Sequence, residues 1–220
     1  KVEFYAGTTL IGTDTTSPYS TSWDTSTIAN GSYALTTKAY DAEGNVGTSA
    51  GVSVTVSNMG GGSCTASSQL LSNPGFESGA VDWTATSSVI DNSDAANAHG
   101  GAWVAWLNGY GKTHTDSIYQ QVSIPATACS ATLSFWLKID TSETGTTAYD
   151  KLVVSVQDTA GTVLAKLATY SNVDAGDYVQ ASFNLSAYKG KTIRINFKGT
   201  EDSADQTSFL IDDTAVSIIK

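Results

Sequence analysis

Basic charge is scarce in this sequence. Eleven lysines and arginines stand against 21 acidic residues, giving a formal charge of −10. No basic patch exists to neutralise phosphates, so nucleic acid is excluded as a partner. No apolar run is long enough to span a bilayer and no signal peptide is present, which predicts no membrane insertion. No stretch carries apolar residues at i, i+3, i+4 and i+7 for the length of an amphipathic helix. Histidine is confined to His99 and His114, and neither an HExxH nor a GxSxG pattern is present. His114-Thr115-Asp116 imitates two thirds of a triad, but no serine in a nucleophile elbow accompanies it. Glu201 and Asp202 are adjacent acids at a strand end and point apart, which disfavours paired acid–base work. The sequence predicts a chain that is not an enzyme.

Cysteine is as sparse. Cys64 and Cys129 are the two present, and neither has a second ligand at zinc-site spacing. An even count in a Ser/Thr/Gly-rich β-protein reads as one disulfide in a secreted chain; two free buried thiols are the alternative. The bridge would close a loop of about 65 residues and stabilise the fold by roughly 4 kcal/mol in the chain-entropy model.

What is abundant is Ser, Thr, Gly and Ala, with β-branched and aromatic residues supplying most of the apolar content. That mix predicts an all-β chain, and 220 residues suffice for one large or two small domains. Residues 1–57 give short strands at the turn spacing of an immunoglobulin-like sandwich, with Ser17–Asp24 as an edge strand and Tyr33 placed for a tyrosine corner. Five strands can be counted where a complete domain has about seven, a marginal core. The chain opens mid-pattern at Lys1-Val2-Glu3-Phe4-Tyr5, which reads as a piece of a longer secreted precursor. Either the missing strands lie outside the sequence, or strand complementation by another segment or copy covers the exposed edge. The glycine-rich run 58–63 marks a flexible joint.

From residue 64 to 220 the strands lengthen. They are expected at 69–72, 80–85 with 89–90, 102–107, 117–124, 131–139, 151–157, 163–169, 178–185, 192–197 and 208–219. An antiparallel jelly-roll β-sandwich fits them. If each strand reverses the last, loops 108–116, 140–150, 170–177 and 199–207 gather at one end. They are the long polar loops, and binding sites favour such places. The ligand candidates there are Trp106, Tyr110, His114, Asp116, Tyr149, Asp150, Glu201 and Asp202. By strand parity Trp103 and Trp106 face opposite ways, and Trp103 or Trp136 is expected to be core.

The residues also carry resemblances. Val2-Glu3-Phe4-Tyr5, Leu10-Ile11-Gly12-Thr13-Asp14, Ser17-Pro18-Tyr19 and Ala39-Tyr40-Asp41-Ala42-Glu43-Gly44-Asn45 resemble the bacterial Ig-like repeats of secreted enzymes and adhesins. Asn73-Pro74-Gly75-Phe76-Glu77-Ser78-Gly79, Trp83, His99-Gly100-Gly101-Ala102-Trp103 and Ile211-Asp212-Asp213 resemble galactose-binding-like sandwiches, the fold of many carbohydrate-binding modules. Trp106-Leu107-Asn108-Gly109-Tyr110-Gly111, Thr113-His114-Thr115-Asp116, Leu133-Ser134-Phe135-Trp136-Leu137, Tyr149-Asp150-Lys151-Leu152 and Gly199-Thr200-Glu201-Asp202-Ser203 narrow this. They resemble a C-terminal accessory module that follows the catalytic domain of secreted bacterial peptidases.

The resemblance implies a structural calcium that ties the first strand region to the last, with carboxylates from Glu77 and Asp212 and carbonyls from Asn73 or Gly101. Strand alternation lets only one of Asp212 and Asp213 reach the ion. It implies a secreted, extracellular module tied covalently to an upstream catalytic domain and meeting a polysaccharide or protein substrate surface. A purely structural spacer or maturation domain, and a surface adhesin or assembly subunit, are the competing readings.

Overall fold

The computed structural model describes residues 1–58 and 64–220. The chain is nearly all β and divides into two compact units, Lys1–Gly62 and Ser63–Lys220. All but the first residue of the expected 58–63 joint lies outside the described residues. Asn58 itself belongs to the smaller unit. Its amide donates to the carbonyls of Thr25 and Ile28, and its N–H donates to Asn30 Oδ1.

The smaller unit is one antiparallel sheet. Its strands are β1 (Val2–Ala6), β2 (Thr9–Asp14), β3 (Gly31–Tyr40), β4 (Val46–Thr48) and β5 (Val52–Val56). β1 pairs with β2 and β3, while β4 and β5 share the other edge of β3. Tyr33 makes the tyrosine-corner bond, its hydroxyl donating to the Ala29 carbonyl at 2.9 Å. The expected edge strand Ser17–Asp24 is instead irregular. Pro18 has no N–H to give a ladder, and the Asp14 carboxylate accepts from the N–H groups of Thr16 and Ser20. No second sheet covers this one among the described residues. An open groove of about 500 Å³ runs over Phe4, Ile11, Trp23, Leu35 and Val52.

The larger unit is a two-sheet sandwich. In chain order its strands are β6 (Ser67–Gln69), β7 (Thr84–Ala85), β8 (Ile90–Asp91), β9 (Val104–Asn108), β10 (His114–Ser123), β11 (Ser130–Thr141), β12 (Lys151–Gln157), β13 (Val163–Ser171), β14 (Gly176–Asn184), β15 (Thr192–Glu201) and β16 (Thr207–Ile219). One sheet runs β13-β12-β15-β10-β7. The other runs β14-β11-β16-β9-β8, with β6 also on β16. Alternation decides the faces. Leu133, Phe135, Leu137 and Ile139 of β11 and Ile193, Ile195 and Phe197 of β15 turn inward and are buried. Phe135 meets Phe197 edge to face across the two sheets at 4.9 Å. The Cys64–Cys129 disulfide is formed, closing a separation of 65 residues.

Candidate functional site

Two places answer to the sequence: the junction of the first and last strands, and the end where the long loops meet.

At the junction, β6 lies beside β16, with Gln69 opposite Ser217. The Pro74 carbonyl accepts from both the N–H and the hydroxyl of Thr214. The carboxylates act on backbone. Glu77 accepts from the N–H groups of Ala102 and Trp103 at 3.0 Å. Asp212 Oδ2 accepts from those of His99 and Gly100 at 2.8 and 3.0 Å. A Cβ on Gly101 would collide with the Glu77 carboxylate, so glycine there permits the close approach.

Alternation fails at Asp213, which corrects the expectation that Asp212 and Asp213 point apart. The pairing of β11 with β16 slips between Ser134 and Trp136, so that Ser134 faces Ala215 while Trp136 faces Asp212. The extra residue is absorbed as a bulge with Asp213 at φ 44°. Asp213 Oδ1 and Asp212 Oδ1 therefore both lie near Gly75, 3.3 and 3.9 Å from where a Cβ would stand. Asp213 Oδ2 meets His99 Nδ1 at 2.7 Å. Asp212 is fully buried, and burial raises its carboxyl above the usual 3.8 against the opposing backbone bonds.

The carboxylate oxygens a calcium would find beside Gly75 are Asp213 Oδ1 and Asp212 Oδ1, while Glu77 shows that space its Cγ and turns its carboxylate toward Gly101. Asn73 does not fit as a ligand. Its carbonyl accepts from Trp83 Nε1 and Phe76 N, and its side chain is spent on Gly79, Val81 and Ser78. Among the described residues no three His, Cys, Asp or Glu side chains already stand as a ligand cluster, so carbonyl and water oxygens would complete any such shell.

The long-loop end forms as parity requires. Asn108 and Ser208, His114 and Glu201, Thr141 and Thr207, and Lys151 with both Ser171 and Thr200 are opposed at one end of the sandwich. The acids there, however, are internal. Glu201 is buried and accepts from the N–H groups of Tyr110, Gly111 and Thr207. Asp116 accepts from Asn108 N at 2.9 Å and faces His114 Nε2 at 3.1 Å. Asp150 accepts from Asp202 N at 2.8 Å. This corrects Asp116, Asp150 and Glu201 as ligand contacts: loop N–H groups with no ladder partner capture each carboxylate. Among the described residues, Asp150 Oδ2 and Glu143 Oε1 remain buried without partners. Burial, then the charges of Asp150, Asp202 and Asp205, raise the Glu143 carboxyl above its usual 4.5.

Tyr110 and Tyr149 are what this end presents, 46% and 48% exposed. The Tyr110 ring leans on His114 at 4.2 Å. Its hydroxyl is raised by burial and by the charges of Asp116 and Glu201. Asp202 is half-buried, and its Oδ1 accepts from Ala204 N. Trp106 turns away from the core between buried Ala105 and Leu107, whereas Trp103 packs partly against the core. Trp136 is not core: it stacks on His99 at 4.1 Å. Segment 97–100 lies over that outer face, with Tyr178 and Lys138 both donating to Asn97.

Sequence reasoning passed over a polar surface on the outer face of the five-stranded sheet. Tyr119 pairs with Asn196, and Gln121 with Arg194, on neighbouring strands. The available signal was the run of polar residues at outward positions of β10 and β15, which reads at first as an ordinary solvated face.

Comparison with known proteins bears on the two units separately. A family model described as a bacterial Ig domain matches residues 1–37. No curated protein sequence matches the chain. Among solved structures, TmCBM61 in complex with β-1,4-galactotriose aligns over 70% of this chain and 99% of its own, at 18% identity and a TM-score of 0.51. The larger unit shares the β-sandwich fold of that structure. A structure of carbohydrate-binding modules from the β-sandwich superfamily covers 98% of the chain and 84% of its own, at 13% identity and TM-score 0.44. The K3 cleaved adhesin domain of Lys-gingipain from Porphyromonas gingivalis w83 covers 68% and 98%, at 16% and 0.45. No helix among the described residues is long and apolar enough to cross a membrane.

Proposed function

We propose that the larger unit is a non-catalytic binding module of a secreted bacterial hydrolase, a peptidase by its sequence motifs, and that it holds the parent enzyme against carbohydrate. One observation carries this reading. Four long loops converge at one end of a rigid sandwich, braced from within by buried carboxylates, and the aromatic groups they leave outside are Tyr110 and Tyr149. Exposed aromatic faces on a fixed support suit the apolar faces of sugar rings, and few side chains need ordering when the ligand arrives. The Cys64–Cys129 bridge supports an extracellular setting. Asp212 and Asp213 would hold a structural calcium that closes the sandwich and takes no part in ligand contact.

The test is retention on a glycan array and on insoluble polysaccharide, with Tyr110→Ala and Tyr149→Ala beside the wild type. Specific retention lost in both variants, whose melting curves match the parent, supports the reading. No retention on any surface overturns it and leaves a structural spacer.

A further inference from the structure

Arg194 is the chain's only arginine, and among the described residues it has no hydrogen-bond or ion-pair partner. It donates no hydrogen bond and joins no ion pair among the described residues, and its Nε is buried without an acceptor. In a chain with 21 acidic residues, a solitary guanidinium left without an acceptor is unexpected, because an unmet buried donor is costly, more so when charged. The neighbourhood explains how it stays unpaired. Asp158, in the turn that Arg194 reaches toward, turns its Oδ1 to the N–H groups of Ala160 and Thr162 rather than to Arg194. Tyr119 lies under the guanidinium, its ring centroid 4.6 Å from the guanidinium carbon. On the strands to either side, Gln121 and Gln157 stand opposite Arg194.

Arg194 forms one wall of a groove of about 400 Å³ that includes Thr84, Tyr119 and Gln121. That volume is within the range of small-ligand sites. Its lining differs from an apolar pocket: the amides of Gln120 and Gln121 and the hydroxyls of Ser72, Thr84 and Tyr119 stand with one carboxylate, Asp82, and one cation, Arg194. A guanidinium offers parallel N–H groups that match a carboxylate with two bonds. Gln121 and Thr84 suit hydroxyls beside that carboxylate. The groove also lies on strands, which hold such groups more rigidly than loops do.

We propose that this groove on the outer face of the five-stranded sheet binds a carboxylate-bearing saccharide, a uronate unit whose carboxylate seats on Arg194. The site is separate from Tyr110 and Tyr149 and does not depend on them.

The experiment is calorimetric titration of the full chain with trigalacturonate, neutral galactotriose and triglutamate. The proteins are the wild type, Arg194→Gln, Arg194→Lys and a Tyr110→Ala/Tyr149→Ala double variant. The wild type should prefer trigalacturonate over both other probes by at least about tenfold. Loss of a charge-assisted pair of bonds should weaken that binding by about 10- to 100-fold in Arg194→Gln. Arg194→Lys, which keeps charge but not the fork, should fall between. Both Arg194 variants should melt close to the wild type, since among the described residues the side chain has only its contact with the Tyr119 ring to lose, and the double variant should bind trigalacturonate undiminished. No binding of trigalacturonate at millimolar concentration, unchanged binding in Arg194→Gln, equal binding of triglutamate, or loss in the double variant would each overturn the assignment.

Discussion

Replacing Asp212 with asparagine separates the two tasks given to one side chain. As a backbone clasp, Asp212 accepts from His99 N and Gly100 N through Oδ2 and from Asp213 N through Oδ1. As a calcium ligand, it contributes charge. Asparagine keeps one acceptor oxygen for the His99 and Gly100 N–H groups and loses the bond from Asp213, a cost of about 1 kcal/mol. Against that, it removes a buried carboxylate whose ionised form burial disfavours. In EDTA the two proteins should therefore melt close together near neutral pH.

With calcium a hundredfold above its dissociation constant, the wild type should gain about 2.7 kcal/mol. In a domain of this size that gain is about 5–10 °C in Tm, and Asp212→Asn should gain almost nothing. The pH dependence has a definite sign. The folded protein holds the Asp212 proton more tightly than the unfolded chain does. In EDTA, this group's contribution is therefore fully present below the usual 3.8 and is lost as pH rises through its higher folded value. Relative to Asp212→Asn, the wild type should weaken over that interval. Differential scanning calorimetry with elemental analysis decides the matter. A wild-type curve unmoved by EDTA, with no bound metal, would refute the calcium; an equal calcium response in Asp212→Asn would refute the assignment of the ligand.

Two further outcomes follow from the same geometry. Replacing Cys64 and Cys129 together by serine opens a 65-residue separation and should cost about 4 kcal/mol in the chain-entropy model, read as a fall of about 8–16 °C in Tm. A fall of under 2 °C would show that the unfolded chain is little constrained by the bridge. Asp150→Asn should lower the Glu143 carboxyl toward its usual 4.5, because Asp150 is the first of the charges that raise it after burial itself. Carboxyl carbon NMR across a pH series measures this, and an unmoved Glu143 would contradict the acid cluster.

The strand pattern was legible because alternation is a local property. Leu133 to Ile139 declares its inward face residue by residue, and antiparallel order then gathers loops 108–116, 140–150, 170–177 and 199–207 without further information. The disulfide and the Tyr33 corner were legible for similar reasons, since each rests on a residue type with few other roles. What could not be read was the side of the loops on which each carboxylate falls. Asp116, Asp150 and Glu201 look like ligand acids in sequence. They are buried because unpaired loop N–H groups need acceptors more than the surface needs charge. The bulge at Asp213 was hidden for a different reason. A single left-handed residue undoes alternation, and Asp is one of the few non-glycine types that tolerates it. Arg194 was passed over because its importance is relational: it depends on which neighbours accept from its Nε, and among the described residues none does.

The central claim is that the larger unit binds glycan through Tyr110 and Tyr149 at the long-loop end. Retention on a glycan array and on insoluble polysaccharide tests it most directly, with wild type, Tyr110→Ala and Tyr149→Ala compared at matched folding. The wild type should be retained selectively, and both tyrosine variants should lose that retention. Retention equal in all three proteins, or absent in the wild type, would contradict it.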